Sequence, residues 1–332
     1  MRTRTVSTDA IDEIVETLRE GGPVALPTET VYGLAAPAGD PDAVRRIFEV
    51  KGRPADNPLI VHAADAHSAF ELVAGVPDYA RRLAEAFWPG PLTLVLASAV
   101  EWPWVQAGHS TLAIRVPEPA YLREVLRRSG PLAAPSANRS GRPSPTTAGH
   151  CRDDLDGLIP LIVDGGPARG GMESTVVDCT GAEPVVLRPG PVTPDDVRNA
   201  AGAGSPSTPR APLGAVAQES SGSGSERHAG AASTDRAPAS PGTRHPHYRP
   251  RARVILVADG STVSCRDCMV IAPSPAPVAH PRAYETLDQL GRQLYGWFRE
   301  ADALGVSTIY VERVPESGLG IALMNRLGKA AE

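Results

Sequence analysis

Apolar positions near the amino terminus follow helical spacing, and most later apolar stretches are short runs that are typical of buried strands. Positions 11, 14, 15 and 18 are apolar and share one helical face, which predicts a helix that ends at two consecutive glycines. Residues 23–36 predict a short buried strand that runs into a turn. Because strands and helices are spread throughout, the pattern indicates an α/β sheet fold. The other predicted strands are residues 59–63, 91–97, 110–117, 131–138, 158–166, 174–179 and 184–190, and the other predicted helices are residues 42–51, 68–73, 77–87 and 121–128.

The last part of the chain alternates between strand and helix patterns. Its predicted strands are residues 252–260, 268–273 and 307–314, and its predicted helices are residues 282–304 and 320–331. Such alternation is typical of parallel βαβ units. We therefore expect a second α/β domain at the carboxyl end of the chain.

A segment without an apolar pattern separates these two parts. Residues 201–240 are mostly Ala, Gly, Ser, Pro and Thr and contain no aromatic residue. Such a segment cannot bury enough apolar surface to offset the entropy lost on ordering, so we expect a flexible linker. The chain of 332 residues thus divides into a domain at residues 1–200, a linker at residues 201–250 and a second domain at residues 251–332.

The charge balance is mildly acidic, and nearly all of the cations are arginines. The formal net charge is -5, so a nucleic-acid binder of this composition would need a local basic patch. Only Lys51 and Lys329 are lysines. No apolar run approaches the ~18–20 residues of a membrane span, and the first residues do not have the pattern of a signal peptide. We therefore expect a cytoplasmic protein that does not bind membranes.

Cationic side chains stand at the ends of several predicted elements. Lys51 and Arg53 flank a glycine at the end of a predicted helix, where they could approach one anion together or simply offset the helix dipole. Arg115 shares a strand face with Thr111, and its burial would require a carboxylate from the protein or from a ligand. Arg188 ends another predicted strand.

Hydroxyl-rich and glycine-rich loops accompany these cations. Residues 27–34 place two threonines, a glutamate and a tyrosine after a buried strand, and residues 135–146 and 170–175 combine hydroxyls with glycines. Such loops can cradle phosphates through backbone N–H groups, although each could also be an ordinary polar turn. Together with the cations they indicate a cavity for a polyanion and a carboxylate, which a nucleoside triphosphate and an amino acid would satisfy.

Two other features have ordinary structural explanations. Cys265 and Cys268 form a lone CxxC without a second pair at the spacing of a zinc site, so we interpret them as ordinary cysteines. His62 follows an apolar run, and a structural histidine is an open alternative to a ligand-binding one.

Seven motifs occur together and in order along the chain. They are PTETVYGLAA, KGRPADNPLIVH, WPGPLTLVL, STLAIRVP, APSANRSGRPSPT, ESTVVD and VLRPG. This set resembles the YrdC-like family, and within it the L-threonylcarbamoyladenylate synthases. Residues 240–250, SPGTRHPHYRP, are similar to the linker motif of the two-domain form. The resemblance implies a twisted mixed sheet around a basic cavity, a linker that closes over it, and a smaller Rossmann-like C-terminal domain.

The resemblance also implies a reaction and a set of site residues. L-threonine, bicarbonate and ATP, with Mg2+, would give threonylcarbamoyl-AMP, pyrophosphate and water. A separate transferase complex would use the product on position 37 of tRNA, and a contact with tRNA itself would be compatible with that role. Lys51 and Arg53 would be catalytic cations near the phosphates, and no side chain is implied as a metal ligand. The implied L-threonine ligands are Thr30, His62, Arg115, Ala134 and Ser174, and the implied ATP ligands are Arg53, Asn57, Thr111, Ser136, Asn138, Ser144, Arg188, His247 and Tyr248.

Two other functions stay open at this point. Carbamoyltransferases that embed a YrdC-like domain carry further large catalytic domains, for which 332 residues leave no room. A non-catalytic RNA-binding protein of this fold would need no paired pockets, and an acidic net charge does not favour it. We therefore expect an enzyme of the nucleotidyltransferase class.

Overall fold

The computed structural model describes residues 2–202 and 248–332, which form two sheets with helices packed against them. Most of the predicted linker, with its His247, lies outside the described residues. No helix in the two described ranges is long and apolar enough to cross a membrane.

The first sheet mixes parallel and antiparallel strands. In chain order its ten strands are β1 Arg4–Ser7, β2 Val24–Leu26, β3 Gly33–Pro37, β4 Ile60–His62, β5 Leu92–Ala97, β6 Thr111–Arg115, β7 Leu132–Ala133, β8 Leu161–Asp164, β9 Thr175–Asp178 and β10 Val185–Arg188. Across the sheet their order is β1-β8-β2-β3-β7-β4-β6-β5-β9-β10. Strands β4 and β6 run parallel and pair His62 with Arg115, whereas β7 runs antiparallel to β4. Strands that are distant in sequence therefore meet in the middle of the sheet.

Helices pack against this sheet, and most of them join strands that are consecutive in the chain but not adjacent in the sheet. In residues 2–202 they are α1 Ile11–Arg19, α2 Pro41–Lys51, α3 Ala66–Phe70, α4 Asp78–Phe87, α5 Pro103–Gln106, α6 Ala120–Ser129, α7 Ala148–Leu155 and α8 Pro194–Ala201. The side chain of Asp40 caps α2, and Gly52 ends the helix with a left-handed φ of 60°. The last turn of α2 buries Lys51.

The second sheet is parallel throughout, as the alternation of patterns predicted. Its strands are β11 Arg253–Val257, β12 Met269–Ala272, β13 His280–Ala283 and β14 Thr308–Glu312, in the order β11-β14-β12-β13. Helices α9 Leu287–Leu304 and α10 Leu319–Ala331 flank it. The prediction that a helix begins at Arg282 was wrong, because residues 280–283 form β13 and the side chain of Thr286 caps α9.

Several features escaped the sequence analysis. Strand β1 and helices α5, α7 and α8 were not predicted, and none of them exceeds eight residues. Cys265 and Cys268, which we interpreted as ordinary cysteines, are joined in a disulfide.

The two sheets share one hydrophobic cluster at their junction. Val31 and Met172 from the first part pack with Tyr295 and Phe298 of α9. At Gly171, whose φ is +70°, a Cβ atom would lie 2.5 Å from the Cα of Arg292. Only glycine permits that approach, so the loop at residues 170–175 is held directly against the C-terminal domain.

Candidate active site

A cavity of about 690 Å³, its open mouth included, lies against the central strands of the first sheet. Four arginine side chains, those of Arg53, Arg115, Arg142 and Arg188, line it together with several hydroxyls. Most of the residues selected from the sequence line this cavity: Thr30, Arg53, His62, Arg115, Ala134, Ser136, Asn138, Ser144, Ser174, Arg188 and Tyr248.

Arg115 is fixed at one end of the cavity by a buried carboxylate. Its Nη2 atom donates to Oε1 of Glu29 at 2.6 Å, and neither side chain is more than 6% exposed. Its Nη1 atom donates to Oγ1 of Thr30 at 3.0 Å, and its Nε atom donates to the carbonyl oxygen of Gly90 at 3.1 Å. The protein thus supplies the carboxylate that the burial of Arg115 requires, and the guanidinium still lines the cavity.

His62 lies beside Arg115 and is neutral. Burial, reinforced by the charge of Arg115, lowers the pKa of His62 to about 3. Its Nδ1 atom has no hydrogen-bond partner among the described residues. A neutral imidazole offers one donor and one acceptor, so His62 can bind a polar group of a ligand without adding charge.

The buried His62 predicts a loss of stability in acid. In the unfolded chain the imidazole binds a proton near its ordinary pKa of 6.5, whereas in the folded protein it stays neutral down to about 3. The stability that depends on neutral His62 is therefore complete above pH 6.5 and is lost as the pH falls towards 3. Between pH 7 and pH 4, the free energy of unfolding should fall more steeply for the natural chain than for His62→Gln, as measured by urea denaturation. Parallel curves would contradict this prediction.

Ser174 and Arg188 form another part of the wall. Nη2 of Arg188 donates to the carbonyl oxygen of Ser174 at 3.0 Å and to its Oγ at 3.2 Å. The Ser174 hydroxyl also lies 2.8 Å from Oγ1 of Thr93. The turn after β10 lies very close to this segment. A Cβ atom at Gly190 would be only 2.5 Å from the backbone nitrogen of Thr175.

Arg53 and Asn138 bring unsatisfied polar atoms to the cavity lining. Burial lowers the pKa of Arg53 to about 10, so its guanidinium remains charged near neutral pH. Within the described ranges, Nε of Arg53 and Oδ1 of Asn138 are buried without a hydrogen-bond partner. Buried polar atoms in proteins are normally hydrogen-bonded, so these atoms indicate a polar ligand.

Three residues selected from the sequence do not line the cavity. Lys51 is 2% exposed, and its Nζ atom donates at 2.5 Å to the carbonyl oxygens of both Ser136 and Asn138. Its amine therefore holds the loop that carries Ser136 and Asn138, and its expected place beside the phosphates stays a prediction. Thr111 starts β6, about 13 Å along the strand from Arg115, and Asn57 is buried outside the lining.

Glu173 lines the cavity, and the sequence analysis gave it no role. Its Oε1 atom accepts from the Ser144 hydroxyl at 2.5 Å, and its Oε2 atom accepts from Nε of Arg326 at 2.8 Å and from the Tyr295 hydroxyl at 3.1 Å. Burial alone would raise the pKa of Glu173, but the guanidinium groups of Arg326 and Arg188 hold it at about 2. Because Arg326 lies 153 residues away, no local motif could indicate this pair.

Tyr248, from the end of the predicted linker, belongs to the cavity wall. Its side chain is 4% exposed and stacks on Tyr295 with ring centroids 5.6 Å apart. The Arg326 guanidinium lies 5.4 Å from the centroid of its ring. Its backbone has a φ of 69°, a left-handed conformation that is uncommon outside glycine and is found at functional sites.

The described residues contain no cluster of three His, Cys, Asp or Glu side chains that could bind a metal ion. Among the residues that line the cavity, Glu173 supplies the carboxylate, and that carboxylate is already bound by Arg326, Tyr295 and Ser144. These side chains therefore do not form a metal site of their own.

Comparisons with known proteins identify relatives of both parts of the chain. Residues 16–190 match the Sua5/YciO/YrdC family, described as telomere recombination, and residues 210–332 match the C-terminal domain of threonylcarbamoyl-AMP synthase. Over 95% of its length, the chain is 39% identical to the threonylcarbamoyl-AMP synthase of Bacillus subtilis (90% of that protein) and 41% identical to that of Pyrococcus abyssi (92% of that protein). The fold is similar to the crystal structure of P. abyssi Sua5 complexed with L-threonine, with a TM-score of 0.84 at 37% identity over 99% of this chain and 96% of that chain.

Proposed function

We propose a function from the premise that the chain belongs to the Sua5/YciO/YrdC family, in the two-domain form whose relatives are threonylcarbamoyl-AMP synthases. The enzyme condenses L-threonine, bicarbonate and ATP to threonylcarbamoyl-AMP and releases pyrophosphate and water. The observation that carries this proposal is the convergence of four arginine side chains with hydroxyls and a neutral histidine in one cavity. That set suits an amino acid beside a polyphosphate.

L-threonine would bind at the Arg115 end of the cavity. The guanidinium, already oriented by Glu29, is placed to pair with the threonine carboxylate, while the neutral His62 suits its hydroxyl. Thr30, Ser174 and the backbone at Ala134 complete the amino-acid side of the lining. A carboxylate that enters this pocket meets a cation whose position is fixed beforehand, which lowers the cost of binding.

The chemistry needs positioning and charge stabilisation, and no protein nucleophile. The threonine amine nitrogen attacks the carbon of bicarbonate-derived CO2 and loses a proton, which gives a carbamate. A carbamate oxygen then attacks the α-phosphorus of ATP, and the bond to the bridging oxygen breaks as pyrophosphate leaves with the electron pair. Arg53 and Arg188, on the nucleotide side, would stabilise the negative charge on the α-phosphate and the leaving group.

The loop at residues 136–144 would hold ATP through Ser136, Asn138 and Ser144, and Tyr248 would cover it. Lys51 acts in this proposal by holding the loop, because its amine bonds two loop carbonyls. Residues 1–200 would be the catalytic domain and residues 251–332 the domain that supports it.

Further parts of the proposal concern the surroundings of the reaction. Any Mg2+ that accompanies ATP would be held by the phosphates, since the cavity carboxylate is already hydrogen-bonded. The product would pass to a separate transferase complex that modifies tRNA at position 37, and the enzyme would act in the cytoplasm.

Pyrophosphate release tests the proposal. The purified chain with ATP, Mg2+, L-threonine and bicarbonate should release pyrophosphate and form threonylcarbamoyl-AMP, detected by mass spectrometry. Omission of threonine or bicarbonate should reduce release to background. Pyrophosphate release that stays the same without threonine and without bicarbonate would refute the synthase assignment.

A further inference from the structure

An arginine of the C-terminal domain reaches the cavity through one carboxylate. Arg326, on α10, is completely buried, and its Nε atom donates to Oε2 of Glu173 at 2.8 Å. The other oxygen of Glu173 accepts from the hydroxyl of Ser144 at 2.5 Å. A continuous chain of hydrogen bonds therefore runs from the second sheet's domain to a side chain that lines the cavity.

The direction of these bonds determines what Ser144 can offer to a ligand. A serine hydroxyl has one proton, and the ionised Glu173 can only accept. The proton of Ser144 is therefore committed to Glu173, and the Ser144 oxygen is left with acceptor capacity. Such an oxygen binds an N–H or O–H donor of a ligand and cannot donate to a phosphate oxygen.

A second contact from the same domain holds the backbone beside Ser144. Nη2 of Arg299, on α9, donates to the carbonyl oxygen of Pro143 at 2.5 Å and to Oδ2 of Asp154 at 2.9 Å. Asp154 also pairs with Arg142 in the same loop. The C-terminal domain thus fixes both the side-chain direction and the backbone position of Ser144.

We propose that Arg326 is a positioning residue for the nucleotide: through Glu173 it makes the Ser144 hydroxyl an acceptor for a donor group on the nucleoside half of ATP. This inference rests on the proposed function, which places Ser144 on the nucleotide side. The chemistry that Ser144 recognises is an adenine amino group or a ribose hydroxyl. Arg326 also neutralises Glu173, whose charge would otherwise repel the phosphates in a cavity built for a polyanion.

Binding of α,β-methylene-ATP, measured by calorimetry, tests the role of Arg326 without turnover. Arg326→Met and Glu173→Ala should each weaken binding of this nucleotide about tenfold or more. The KM for threonine in the synthase assay should change less than about twofold. Arg326→Lys should recover part of the lost nucleotide affinity. The double variant should bind no worse than Glu173→Ala alone, because Arg326 acts through Glu173. Arg282→Met is the matched control, because it removes the Arg282–Glu300 pair of the same domain outside the cavity lining. It should leave nucleotide binding and the KM for threonine unchanged.

The proposal would be overturned in favour of a merely structural role by either of two results. One is that the losses of nucleotide affinity in the single variants multiply in the double variant, and the other is that threonine and nucleotide binding weaken alike. If Arg326→Met does not fold, the variants Arg326→Lys, Glu173→Ala and Ser144→Ala still test the proposal. All three must weaken nucleotide binding and leave the KM for threonine nearly unchanged.

Two altered analogues test the acceptor assignment. The 2′-deoxy analogue lacks one ribose donor, and the inosine analogue lacks the amino donor. One of them should bind the natural chain several-fold more weakly than α,β-methylene-ATP does. To Ser144→Ala, the same analogue and α,β-methylene-ATP should bind with equal affinity. If neither discriminates, Ser144 is not the acceptor. A natural chain that shows this coupling but releases no threonine-dependent pyrophosphate would refute the proposed function and leave the positioning role standing.

Discussion

Replacement of Arg115 by methionine is expected to lower kcat/KM for L-threonine roughly 30- to 3,000-fold and to destabilise the fold by about 3–5 kcal/mol. Both effects have the same origin. Arg115 is the partner of the buried Glu29 and, in the proposed reaction, of the threonine carboxylate. Its removal leaves one buried charge unpaired and one substrate group unrecognised. Pyrophosphate release at varied threonine and urea denaturation measure the two losses.

The double variant Glu29→Gln, Arg115→Met separates these effects. Removing both charges eliminates the unpaired carboxylate, so most of the stability should return. Activity should stay low, because no cation faces the threonine carboxylate. If the double variant regains activity, Arg115 acts only in folding and the threonine assignment is wrong.

Replacement of Gly190 by alanine is expected to lower kcat/KM at least 100-fold, although it adds only one methyl group. The new Cβ atom would lie 2.5 Å from the nitrogen of Thr175 and 2.8 Å from the carbonyl oxygen of Glu173. The backbone that carries Glu173 and Ser174 must then move, and a misplacement of about 1 Å can cost about 100-fold in rate. Overpacking of this kind also costs about 1–3 kcal/mol of stability.

Gly181 provides the matched control on the other side of β10. A Cβ atom there meets nothing closer than the carbonyl oxygen of Glu183 at 3.8 Å. Gly181→Ala should therefore keep both activity and thermal stability. A folded Gly190→Ala enzyme with normal kinetics would show that the approach of the turn does not shape the site.

The sequence predicted those features that depend on local pattern. Apolar spacing located α1, and the alternation of patterns at the carboxyl end predicted the parallel sheet that the structure shows. Polar residues at strand ends predicted a shared cavity, and Arg53, Arg115 and Arg188 do line one. These signals succeed because neighbours in the chain determine strand ends and helix faces.

Features that depend on long-range pairing could not be predicted. The partner of Arg115 is Glu29, 86 residues earlier, and the partner of Glu173 comes from the other domain. The direction of Lys51 follows from two carbonyl oxygens of a distant loop, which no spacing near Lys51 indicates. Short elements such as α5 have too few residues for a period and form because of the structure around them.

The arginine lining has a consequence for the fate of the product. Threonylcarbamoyl-AMP is a mixed anhydride, which acylates primary amines, whereas protonated guanidinium groups do not attack such a carbonyl. The described residues that line the cavity include arginines but no lysine. Lys51, the single lysine of residues 1–200, is not among the lining residues, and its amine donates to the carbonyl oxygens of Ser136 and Asn138. The cavity can therefore retain its reactive product without acylating itself.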